Sequence, residues 1–174
     1  MKRTATSILL IFLLYTQICS QIINKDPLSR RITGYNIDAT LDPGEKIVTG
    51  NVEAFWVNTS SGKVLDVRLH MYMNAFRSDK TTFSREGKHS LWMDNSYNGY
   101  IDIKSCIDDR GNDLISRMQY LSPDDGNPND STVLKINLPE PAKPGDTVSL
   151  KMQFITKLPS EIIRTGYSGD FFFV

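Results

Sequence analysis

Cysteine, histidine and long apolar runs are all scarce in this chain. Two cysteines in 174 residues exclude a disulfide framework, so stability has to come from a packed core. The two histidines, His70 and His89, each lack a second histidine three or four residues away, which excludes zinc-ligand spacing of the His-Glu-x-x-His kind. An excess of one charge sign is missing as well. The 20 Lys and Arg balance 20 Asp and Glu without forming a basic block, and nucleic acid is therefore not the expected partner. No Gly-x-Ser-x-Gly elbow marks a serine nucleophile. The single long apolar run, Ile8 to Tyr15, is too short for the roughly 20 residues a membrane-spanning helix needs.

That run belongs to an export signal. Lys2 and Arg3 precede it and Ile18-Cys19-Ser20 offers a cleavage site, so residues 1–20 read as a signal peptide and 21–30 as a linker. Cys19 is also the candidate lipidation site of a lipoprotein, but Ile18 stands where such signals place a small residue. Cleavage leaves 18 basic against 20 acidic residues and one cysteine, Cys106, in a periplasmic or secreted product. By simple alternation Cys106 falls on the face opposite Ile101, Ile103 and Ile107, and it reads as a packing thiol.

What the chain has in abundance is period-two alternation. Tyr35, Ile37, Ala39 and Leu41 alternate with polar residues, the pattern of a strand with one buried and one wet face. After Pro43-Gly44-Glu45-Lys46, a second run places Val52, Ala54 and Trp56 on one side, with Gly50 as a candidate bulge. The third, Leu65, Val67, Leu69, Met71 and Met73, completes an expected three-stranded meander. Residues 79–86 lose the alternation and suit a short helix or turn capped by Ser78 or Asp79; Lys88 to Gly99 reads as a loop. Alternation returns in Tyr100 to Ile107, Leu114 to Leu121, Thr132 to Leu138 and Val148 to Phe154. Asp108 to Asp113 is expected to close a hairpin, and Pro139 to Asp146 to be a link. Short links without a long helix favour antiparallel pairing, so the expected fold is all-β: an antiparallel sandwich or saddle of about seven or more strands.

Chemistry-bearing clusters are few. The loops at Asp108–Asp113 and Asp124–Asp130 offer oxygen ligands, yet neither matches a twelve-residue calcium loop, and Asp, Asn and Gly are what tight turns require. Trp56, Trp92, Tyr97 and Tyr100 could compose a sugar-binding platform; Trp56 reads as core, which leaves Trp92 and Tyr97 as candidate ligand-binding residues. Asn58-Thr59-Ser60 and Asn129-Asp130-Ser131 fit the glycosylation pattern.

The order of segments adds a resemblance. Gly34 to Pro43, Ile47 to Glu53, Trp56-Val57-Asn58 and Leu69 to Arg77 resemble the opening of aminopeptidase N-like zinc metallopeptidases. Gly99 to Ile103, Leu138-Pro139 with Pro144-Gly145-Asp146, Phe154 to Pro159 and Arg164 to Val174 continue it, so that it spans residues 31–174. The resemblance implies a saddle of antiparallel sheets lying against a separate catalytic domain. In that domain two histidines and a glutamate hold zinc, and a Gly-x-Met-Glu-Asn strand holds the substrate amine. Neither motif occurs here, and Gln119 and Gln153 do not match the family's amine-binding glutamine, so no catalytic, cofactor or metal residue is assigned. The apolar stretch Phe171 to Val174 carries no polar tail, a pattern expected either of a terminal strand tucked into the sheet or of an incomplete domain whose catalytic partner, with the zinc, lies downstream. The alternative is a stand-alone secreted β-sandwich that binds glycan or protein through Trp92 and Tyr97.

Overall fold

A computed structural model describes residues 29–86, 98–160 and 165–173. From Ile32 onward the chain is an all-β unit whose strands pair antiparallel throughout. Strands β1 (Thr33–Asp42), β2 (Ile47–Val57), β7 (Thr147–Lys157) and β4 (Tyr100–Asp108) form one sheet in the order β1-β2-β7-β4. A second sheet runs β3 (Val64–His70), β6 (Val133–Ala142), β5 (Met118–Leu121), and β8 (Gly166–Ser168) pairs with β9 (Phe171–Phe173) as a separate hairpin.

Side chains of the two larger sheets meet in one core. Met71, Cys106, Leu114, Leu134, Ile136, Leu150 and Met152 are buried there, flanked by Val52, Ala54, Val67, Leu69, Ile101 and Ile103. Fully burying each of the larger ones contributes roughly 1.5–3 kcal/mol. A smaller cluster forms where the chain leaves β3: a 3-10 turn at Tyr72–Phe76 stacks Tyr72 on Phe76 and Phe76 on Phe83 edge to face. The short helix expected near 79–86 is α1 (Thr82–Glu86). Its cap is Thr81 rather than Ser78 or Asp79: the Ser84 N–H donates to Thr81 Oγ1, and that buried hydroxyl donates to the Ala75 carbonyl.

Several expectations are corrected by pairing that alternation cannot reveal. The first three strands are not a meander, because β3 crosses into the other sheet after the Asn58 turn. Asn58 is fully buried; its amide donates to the Gly62 and Ala142 carbonyls and its oxygen accepts from Ser60, which ties the crossing point to the end of β6. The segment after Asp113 likewise makes no hairpin with β4. Beyond a single bridge between Ile107 and Asp113, the chain passes through a 3-10 turn and joins β6 as β5. Pro139 and Pro141 lie inside β6 rather than in a link, which is tolerated because β5 pairs only as far as Ile136 and asks for no N–H beyond it.

Gly50 marks no bulge. The ladders on both sides of β2 run unbroken through it, and a Cβ there would stand 2.7 Å from Phe154 Cζ, so the glycine leaves room for a ring. The bulges fall instead between Val64 and Asp66 and between Ile103 and Ser105. The first turns Leu65 out to 63% exposure. The second reverses the parity of β4, so that Cys106 shares the core with Ile101 and Ile103 instead of facing away from them.

Candidate functional site

Three strands have apolar surface that the second sheet does not reach. Tyr35 and Ile37 of β1 are 64% and 59% exposed, although alternation marks them for a buried face. The cause is strand number: four strands face three, and β1 overhangs. Beneath this margin lies an open cleft of about 230 Å³ between the two sheets, lined by Thr33, Tyr35, Trp56, Val67, Leu69 and Arg68 among others. Trp56 is therefore half-buried in the cleft wall and not a core residue. The volume decides what can enter. Drug-sized ligand pockets run about 300–1,000 Å³, so this cleft takes one or two side chains of a partner and not an extended sugar. At the rim Arg68 Nε donates to Asp66 Oδ1 at 3.1 Å, leaving the floor apolar.

The β8–β9 hairpin is the second uncovered surface. Tyr167 and Phe172 pair on one side, and Lys46 Nζ lies 5.1 and 4.8 Å from their ring centres while donating to the Gly169 carbonyl. The Tyr167 N–H donates to the Pro159 carbonyl, which fastens the hairpin to the segment after β7. Phe171 and Phe173 alternate with Phe172 and stand 62% and 46% exposed.

The acidic loops are built as turns. The Asp108 carboxylate accepts from the Arg110 and Asn112 N–H groups and from the Asn112 amide, around Gly111 at φ 82°. Burial works against its charge, and those Asn112 and Arg110 hydrogen bonds outweigh it, holding the carboxyl below the usual carboxylate range. Asp125 accepts from the Asn127 N–H and the Thr82 hydroxyl, while Asn127, buried, donates to the Lys80 carbonyl and so joins this loop to α1. Among the described residues no three His, Cys, Asp or Glu side chains converge as they would to hold a metal ion. His70 stands on β3 with its ring against Tyr72, 6.0 Å between centres. Cys106 is buried and unpaired, and burial, with Asp113 and Asp108 nearby, pushes its thiol up to about 11, the reverse of what a nucleophile needs.

Of the remaining sequence candidates, Trp92, Tyr97 and His89 lie outside the described residues, as do residues 1–20. Asn58 is enclosed by its own hydrogen bonds, whereas Asn129 is exposed. The β1 margin was missed by sequence reasoning, and its only signal was an excess of apolar positions on the first strand. The fold and its surfaces define an antiparallel β-sandwich with two apolar borders that no other described residues cover. The chain matches no protein-family profile, and no curated protein is significantly similar to it.

Proposed function

We propose that this chain is the N-terminal β domain of an exported aminopeptidase N-like zinc metallopeptidase, non-catalytic in itself, which scaffolds and covers a catalytic domain encoded downstream. The observation that carries the reading is the β8–β9 hairpin. It is held from one side by Lys46 and turns Phe171 and Phe173 outward from the other, the arrangement of a docking face for a covalently linked neighbour. The antiparallel two-sheet fold agrees with the saddle that the resemblance implies. The segments that carry the resemblance fall on β1, β2, the β3 exit, β4, the β6–β7 turn and the hairpin.

Two measurements test it. The reading frame after the Val174 codon is expected to encode His-Glu-x-x-His, and a frame without it overturns the proposal. Purified chain is expected to leave aminoacyl arylamides intact; chelator-sensitive hydrolysis overturns the assignment of the chemistry to another domain.

A second reading is a secreted binding module. The aromatic pair that supports it is Tyr35 and Trp56 in the cleft, whose size favours a protein side chain over glycan.

A further inference from the structure

The sheet borders of this protein differ in how they are guarded. Natural proteins blunt an exposed sheet edge with bulges, lysines, prolines or very short strands, because a straight bare edge templates pairing with another chain. Among the described residues β4 carries a bulge with Lys104 at it, β3 has seven residues, an interrupted register and Arg68, and β5 has four residues. β1 has none of these devices. Its ten residues pair with β2 in unbroken register and include no proline, lysine or arginine.

The direction of its free backbone groups follows from one hydrogen bond. The Val57 N–H donates to the Ile32 carbonyl at 2.8 Å, so Ile32 and Val57 are a hydrogen-bonded pair. Because such pairs alternate along an antiparallel ladder, Thr33, Tyr35, Ile37, Ala39 and Leu41 direct their N–H and C=O groups away from β2. The same residues carry the exposed apolar side chains. Edge hydrogen bonding and uncovered apolar surface therefore coincide on one strand.

We propose that β1 pairs antiparallel with β1 of a second copy of this chain, about a two-fold axis at Ile37, joining two four-stranded sheets into one. This register sets Tyr35 against the partner copy's position 39, an alanine, and Thr33 against position 41, a leucine, so large meets small along the apolar face. On the polar face it sets Asn36 against position 38, where an amide donates to a carboxylate. Raising the sum of paired positions by two would bring Asp38 opposite its own copy, and like charges directly opposite are destabilising; lowering it by two would leave only residues 33–39 paired. The Ile37 register pairs residues 33–41, nine of the ten in the strand. The proposal is independent of the metallopeptidase reading, since it uses the border opposite β4 and not the β8–β9 hairpin.

Sedimentation equilibrium of the full chain at about 100 µM tests it, in the affinity range of a modest interface. The expected mass is twice that of one chain, and a monomer overturns the proposal in favour of a different cover for β1. Ile37→Lys and Ile37→Glu, each checked for an unchanged circular dichroism spectrum, are each expected to be monomeric, because the axis brings two like charges together. Mixed one to one, they are expected to return to the dimer mass. A dimer that survives either single substitution, or a mixture that stays monomeric, overturns the assignment of the axis to Ile37.

Discussion

Strands β1 and β4 close opposite borders of the same sheet, and only one of them is finished. β4 is held along its length. Asn74 accepts from the Ile101 N–H and from Arg77, which in turn donates to the Ile101 carbonyl and pairs with Asp102. At its far end the Asp108 turn folds back so that the Leu114 N–H donates to the Cys106 carbonyl. β1 is held by β2 alone among the described residues. A border that is held and bulged stays solitary, whereas a border that is flat and apolar is a place for something to be added.

The contrast can be broken most severely at Asn74. Asn74→Ala removes a fully buried amide whose oxygen and nitrogen serve Ile101, Arg77 and the Ser131 carbonyl. It should cost about 3 kcal/mol, read as a lower urea midpoint with unchanged slope. A loss under about 1 kcal/mol would mean that β4 does not depend on this anchor.

Next comes Asp108→Asn, expected to cost about 1 kcal/mol at neutral pH. The native carboxyl titrates below its unfolded value, so its contribution is present above the ordinary aspartate pKa of about 3.9 and fades as pH falls through the lower folded value. The urea midpoints of wild type and variant should therefore converge on acidification. A gap independent of pH down to full protonation would assign the effect to shape instead of charge.

Smallest is Ile37→Ser, which in dilute protein should shift stability by no more than about 0.5 kcal/mol because the side chain touches little of the core. A large loss there would show that β1 is sheltered and would erase the contrast.

How much of this was legible in the residues depends on the distance over which each feature is decided. Alternation located seven strands before Leu158-Pro159, because side-chain parity is a local property of extended backbone. It could not show that Leu65 turns outward or that Cys106 turns inward, since each is settled by pairing with a strand far along the chain. Nor could it show that, among the described residues, nothing covers the apolar face of β1. Alternation says which side chains share a face; whether anything covers that face depends on how many strands the opposing sheet has. Trp56 was assigned to the core for the same reason, and it lines the cleft at the unfilled border. The turn role of the acidic loops was readable, because the spacing of Asp, Asn and Gly is the local geometry of the turn itself.

The bulge in β4 has an evolutionary side. Ile103 pairs with Phe154 and Ser105 with Gln153, neighbours on β7, so Lys104 is the one residue of the strand without an opposite number. Loss of its codon would leave every other pairing in place, yet it would straighten the border and remove its positive charge together. Three deleted nucleotides would thus take away the bulge and the charge at once and leave the guarding of that border to Asn74, Arg77 and the Asp108 turn.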